Sequence, residues 1–206
     1  EKSRATLSTV YDASSPLAVG RQRVRDYYGK NRPLTLEEVF LYSSNIGSAL
    51  EARAVGIEEH RNFLRSAGLL TKLPLELPEV APPREPARWS SATSVTASFG
   101  HGFATTPLQT AAGIGGILNN GILVSPTLIR RGEEDAKAVS KRIVSDHTSE
   151  MMRYLYRLSG MKGSGRHAAV AGLNVGGKTG TAEKVIAGRY ARNRNYNDFA
   201  AHMPMH

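Results

Sequence analysis

Cysteine is absent from the 206 residues, which rules out disulfides, thiolate chemistry and cysteine-ligated zinc within them. Long apolar runs are missing too. No stretch approaches the ~20 residues of a membrane-spanning helix, and the opening Glu-Lys-Ser-Arg-Ala-Thr-Leu has no signal-peptide core. Any export signal or anchor is therefore expected outside this segment. Acidic residues are in deficit, 18 against 27 basic ones, for a formal net charge of +9. A basic balance suits nucleic acid, an anionic membrane surface or an acidic polymer as neighbour. The charge is spread, however: Arg21, Arg23, Arg25, Lys30 and Arg32 form one cluster, Arg189, Arg192 and Arg194 another. Neither reads as carrying the interleaved aromatics of a base-stacking surface, and a solvated surface is the preferred reading. There is no internal repeat. What is present, 40% hydrophobic residues, is enough for one globular domain.

The order of signals along the chain mixes helices and strands. Residues 8–28 read as short extended pieces broken at Ser14-Ser15-Pro16, then an alternating basic stretch ending at Tyr27-Tyr28-Gly29, which suggests a lid or sheet edge outside the core. Thr35 with Glu38 makes a capping box and starts a helix with Leu36, Val39 and Phe40 as its apolar stripe. That helix is expected to stop at Tyr42-Ser43-Ser44-Asn45, followed by helices near 46–54 and 57–66. Residues 69–88, with five prolines, read as an extended surface excursion. After a Ser/Thr/Gly-rich stretch, Thr106-Pro107 starts a helix running to about Leu118. A strand over 122–129, a charged surface stretch around 130–142, and an amphipathic helix over 145–159 ended by Gly160, Gly163 and Gly165 follow. Residues 190–197 read as a polar turn and 198–203 as the start of a partner strand.

Two places carry chemistry. Ser43 and Asn45 stand two residues apart in a break between helices, one offering a hydroxyl and the other a carboxamide. Helix capping explains both equally well, since Ser and Asn are favoured N-caps. The second place is Gly176-Gly177-Lys178-Thr179-Gly180-Thr181-Ala182. Its threonines and flanking valines favour extended backbone, while its glycines keep one margin clear of side chains. Alternation puts Lys178 and Gly180 on one face and Thr179 and Thr181 on the other, so a ligand touching all four must meet the strand edge-on. Lys178 would bring charge, the two hydroxyls could donate to a carboxylate, and the Thr181 amide could face a developing oxyanion. An ordinary Gly/Thr strand with a surface lysine is the plain alternative.

Together, Ser43-Ser44-Asn45 and Lys178-Thr179-Gly180-Thr181 resemble two of the three signatures of the serine acyl-transferases that include penicillin-binding proteins and β-lactamases. The stretches TVYDASSPLAVG, LTLEEVFLYSSNIGSA, FGHGFATTPLQTAAG and VGGKTGTAEKV extend the likeness, in order, to the transpeptidase domain of the class B penicillin-binding proteins of the division septum. The resemblance implies an α+β fold, an antiparallel sheet flanked by helices. It implies a D,D-transpeptidase that cross-links peptidoglycan through a serine acyl-enzyme, needs no cofactor, and takes the D-Ala-D-Ala end of a stem peptide or a β-lactam. In that scheme Ser43 relays a proton, Asn45 holds the peptide carbonyl, Lys178 supports the relay electrostatically, Thr179 and Thr181 bind the terminal carboxylate, and Gly180 admits the substrate. Division-complex proteins are implied as partners, nucleic acid is not, and the implied location is the periplasmic face of the inner membrane, with the anchor outside this chain.

The family's nucleophile is the serine of a Ser-x-x-Lys upstream of Ser-x-Asn, and residues 1–42 contain no such motif. Residues 1–206 are therefore expected to be part of a transpeptidase domain, without the nucleophile segment and the final sheet strands. Ser159-Gly160-Met161-Lys162 matches the pattern but lies downstream, at the expected C-terminal end of a helix, where the dipole disfavours a nascent alkoxide. It is read as a decoy. A non-catalytic penicillin-recognising module of the same fold and a basic polymer-binding domain are the competing classes.

Overall fold

The computed structural model describes residues 5–186 and 189–204, with the backbone alone at 183, 185, 186 and 189–193. The chain divides into two compact units, 1–152 and 153–206.

In the first unit three short antiparallel pairings are threaded through helices. β1 (Val10–Asp12) pairs with β4 (Pro33–Thr35), and β2 (Leu17–Val19) forms a hairpin with β3 (Gln22–Val24). The register sets Leu17 opposite Val24, so Leu17, Val19 and Val24 share one face while Arg21 and Arg23 point away. That corrects the expectation that this region stays outside the core. Ala13, Val19 and Val24 are buried and pack with Leu34, Val39, Ile46, Ala49 and Val95.

Helix α1 (Leu36–Tyr42) begins at the Thr35/Glu38 capping box, both arms of which form. α2 (Asn45–Val55) and α3 (Ile57–Ser66) follow, close to their expected bounds. The proline-rich excursion is pinned by side chains. Gln109, buried, donates to the carbonyls of Gly68 and Thr71. Glu85 accepts from Arg61 and from the indole of Trp89. Glu76 accepts from the hydroxyl of Thr127 and the amide of Leu128.

The Ser/Thr-rich stretch contains a helix the sequence did not announce, α4 (Ser91–Ala97), capped by Ser90. Burial of Ser94, Val95 and Ala97 holds it in place of strong helix propensity. α5 (Pro107–Leu118) has the expected Thr106 cap with proline in its first turn. The strand expected over 122–129 shortens to β5 (Ile122–Val124), because Pro126 cannot continue a ladder; it pairs with β6 (Ser140–Arg142) after a short helix α6 (Glu133–Ala138).

Helix α7 (Asp146–Lys162) leads into the second unit and runs three residues beyond the expected end. Gly160 does not terminate it. A Cβ there would sit 2.6 Å from the Val175 carbonyl oxygen, so the glycine serves close approach of helix and strand. A 3₁₀ helix (Ser164–Ala168) then leads to β7 (Gly176–Ile186), paired antiparallel with β8 (Arg189–His202). The expected polar turn at 190–197 is thus part of a long strand, with a register shift at Glu183/Lys184; the connection at 187–188 lies outside the described residues. Among the described residues no helix is long and apolar enough to cross a membrane.

Candidate active site

The first group of predicted residues lies in the first unit, at the junction of α1 and α2. Three consecutive residues do three different jobs. Ser43 closes α1 in the left-handed conformation, φ 56° and ψ 48°, exposed to solvent. A non-glycine residue there is uncommon and is held by its surroundings. Ser44 is the true N-cap of α2: its Oγ accepts from the Gly47 amide at 3.0 Å and it is 2% exposed. Asn45 is the first helical residue, and its carboxamide donates to the Arg25 carbonyl at 3.0 Å. The capping role that sequence reasoning offered to Ser43 and Asn45 therefore falls to the residue between them.

Asp26, which sequence reasoning missed, ties this junction to the loop after β3. Its Oδ2 accepts from the Ser44 hydroxyl at 2.7 Å and its Oδ1 from the Ile46 amide at 2.9 Å. A carboxylate at a helix N-terminus meets the positive end of the dipole and satisfies otherwise orphaned donors. Eighteen residues separate Asp26 from Ser44, so no local pattern could have found the pair. With Asn45 committed to Arg25 through one N–H, its carboxamide still offers a second N–H and its oxygen.

The second group lies in the second unit, on β7. Lys178, Thr179, Gly180 and Thr181 occupy consecutive positions opposite Ala200, Phe199, Asp198 and Asn197 of β8. β7 has β8 as its one strand partner among the described residues, which leaves its other long edge for an edge-on ligand. Lys178 is half-buried; its ammonium donates to the Thr179 carbonyl at 3.0 Å, and burial pushes its pKa down. Loss of solvation disfavours the charged form. On the opposite face the Thr179 hydroxyl shares a hydrogen bond with Ser164 Oγ at 2.5 Å, a partner fifteen residues away that sequence reasoning also missed.

The strand is fixed from behind. Arg157 on α7 donates to the Val175 carbonyl at 2.8 Å and to Asn174 Oδ1 at 3.3 Å. Phe199 packs over Gly177 so closely that any Cβ at 177 would overlap its ring. Ser159 is fully buried near the end of α7, and its Oγ has no hydrogen-bond partner, while Lys162 is exposed. The two side chains of the decoy motif thus face different environments.

The sequence pattern described as "Penicillin binding protein transpeptidase domain" matches residues 5–205. Among curated proteins, the chain is 38% identical over 205 residues to "Probable peptidoglycan D,D-transpeptidase FtsI" of Caulobacter vibrioides, covering 97% of this chain and 35% of that protein. Stage V sporulation protein D of Bacillus subtilis is 29% identical over 183 residues, 82% of this chain and 28% of that one. Among solved structures, the TP domain of penicillin-binding protein 3 from Burkholderia pseudomallei aligns with a TM-score of 0.87 at 26% identity, covering 96% of this chain and 60% of that one. Penicillin-binding protein 3 of Mycobacterium tuberculosis, complexed with aztreonam, gives a TM-score of 0.85 at 26% identity, covering 98% and 49%. The chain spans about a third of the length of the curated relatives it matches.

Proposed function

The chain belongs to the penicillin-binding protein transpeptidase family, and from that premise we propose that it is part of a septal peptidoglycan D,D-transpeptidase and a target of β-lactams. The observation that carries the reading is the β7 strand: one long edge without a strand partner among the described residues, presenting Lys178, Thr179, Gly180 and Thr181 in register.

The reaction is two-step acyl transfer. A serine hydroxyl, assigned to a Ser-x-x-Lys segment outside residues 1–206, attacks the carbonyl between the two D-alanines; the C–N bond breaks and D-Ala leaves with a proton. An amine of a second stem peptide then attacks the ester and restores the serine. Ser43, exposed at the helix junction, relays the proton to the leaving amine and from the entering one. The Asn45 carboxamide donates its second N–H to a peptide carbonyl. Lys178, its charge weakly solvated, favours proton movement through its field. Thr179 and Thr181 donate hydroxyls to the terminal carboxylate, and the Thr181 amide forms half of the oxyanion hole; one such donor is typically worth about 10²–10³ in rate. A β-lactam places a carboxylate and a strained amide against the same groups. The proposed setting is the periplasmic face of the inner membrane, among division-complex proteins, with the anchor outside this chain.

Intact-mass measurement of the full-length protein after incubation with benzylpenicillin tests this. The expected result is one covalent adduct, mapping to a serine outside residues 1–206 and slowed strongly by Lys178→Ala. Absence of any adduct in the unmodified protein, or an adduct on Ser159, overturns it.

A further inference from the structure

Tyr27 and Tyr28 are the most exposed large apolar side chains of the described residues, at 87% and 81%. Their rings meet edge to face, 4.7 Å between centroids. They stand inside the first basic cluster, between Arg25 and Lys30, which corrects the reading of that cluster as lacking interleaved aromatics. Lys30 lies over a third tyrosine, its ammonium 4.5 Å from the centroid of Tyr42. The preceding backbone is anchored, since Arg25 and Asp26 accept the hydrogen bonds from Asn45, Ser44 and Ile46. Two rings held outward by an anchored loop contribute little to the core. Such side chains on a rigid scaffold are a mark of binding. Beside them lies a cleft of about 200 Å³ whose lining includes Arg25, Asp26 and Asn31.

We propose that Tyr27 and Tyr28, with Arg25 and Lys30, form an accessory subsite for the glycan strand that carries the stem peptide, a sugar polymer made anionic by its peptides. The inference rests on the proposed transpeptidase reading, and names a part of the substrate which that reading leaves unplaced. The C–H faces of a pyranose are weakly positive and pack on the negative face of a tyrosine ring. The free carboxylates of the stem peptides borne along the strand suit the cations flanking the rings. The edge-to-face arrangement presents one ring face beside one ring edge, a stepped surface that fits puckered sugars better than a stack of flat bases. Hydrogen bonds that Ser44 and Asn45 donate to this loop put a bound strand next to Ser43 and Asn45, which would handle its peptide.

The test uses the full-length protein and uncross-linked glycan–peptide strands in cosedimentation, with sugar-free stem peptide and single-stranded DNA as comparison probes and benzylpenicillin acylation in parallel. The Tyr27→Ala/Tyr28→Ala double variant is expected to lose about tenfold in strand affinity, from two stacking contacts. Its melting temperature, affinity for sugar-free peptide and acylation by benzylpenicillin should be unchanged. Tyr27→Phe/Tyr28→Phe, which keeps the ring faces, should bind strands like the parent. Unchanged strand binding in the alanine variant, an equal loss for sugar-free peptide, or tighter binding of DNA than of strands would each overturn the proposal. Strand binding needs no acylation, so ring-dependent binding without a penicillin adduct would keep the subsite and sink the transpeptidase reading instead.

Discussion

Replacing Ser43 with glycine separates two roles that alanine would confuse. Ser43 holds φ 56° at the end of α1, and its amide bonds to the Phe40 carbonyl at 3.2 Å, a contact that needs no side chain. An L-residue in the left-handed region carries a penalty of roughly 1–2 kcal/mol, which glycine relieves. Against this stands the greater freedom of glycine in the unfolded chain, roughly 0.5–1 kcal/mol. The net expectation for Ser43→Gly is therefore a change of between about 0 and 1.5 kcal/mol towards greater stability, read as the midpoint of urea unfolding. A proton relay contributes typically about 10²–10⁴ in rate, so the same variant should acylate with a fluorescent penicillin slower by that factor in stopped-flow measurements on the full-length protein. Ser44→Ala supplies the opposite control. It removes a buried N-cap and one partner of Asp26, and should cost at least the roughly 0.5–2 kcal/mol of a lost cap. Ser43→Gly with normal acylation and normal stability would refute the relay and leave Ser43 as a helix terminator.

Three further outcomes follow from other sites. Because burial lowers the pKa of Lys178, its charged form is disfavoured in the fold below that lowered pKa, and the penalty fades as pH rises towards 10.5. Lys178→Met should thus raise the thermal midpoint at neutral pH while acylation falls, and a lowered midpoint would contradict the desolvation argument. The amide of Leu128, then the hydroxyl of Thr127, hold the Glu76 carboxyl down at about 2. The resulting stabilisation is present above its ordinary value of 4.5 and is lost as pH falls towards about 2; NMR titration should find the low midpoint, and Thr127→Val should move it up. An unmoved midpoint would show that the hydroxyl is not holding it. Removing the unpartnered buried hydroxyl of Ser159 should stabilise the protein by about 1 kcal/mol and leave acylation unchanged, whereas abolished acylation would return Ser159 to the candidate nucleophiles.

What the sequence revealed about the fold depended on how local the governing interaction is. The capping boxes at Thr35 and Thr106 join residues three apart, and the helices they open began where expected. α4 was invisible because Ser-Ala-Thr-Ser-Val-Thr-Ala has weak helical preference and is stabilised by what it packs against. β8 was half-hidden, since Arg-Asn-Arg-Asn has turn composition; its first three residues fall at the register shift, and the pairs Lys184–Ala191 and Glu183–Asn195 on either side carry the strand through them. The candidate site divides in the same way. β-branched and glycine alternation exposed β7, while the pairs Asp26–Ser44 and Ser164–Thr179 bridge eighteen and fifteen residues and leave no periodic trace. The motif at 43–45 pointed to the right segment but could not say that the capping work belongs to Ser44.

The anchoring of the loop after β3 has an evolutionary consequence. The α1–α2 junction grips it through the Arg25 carbonyl, the Asp26 carboxylate and the Lys30 ammonium over the Tyr42 ring, and a main-chain carbonyl is the same whatever residue supplies it. Of this loop, then, two side chains, those of Asp26 and Lys30, are bound by duty to the junction. Positions 27 to 29 can change freely without loosening Ser43 or Asn45, so selection can rewrite what the loop touches while the chemistry beside it stays constant. Related chains should accordingly diverge most at these three positions and least at Asp26, with new substrate preferences arising there ahead of any change in the catalytic residues.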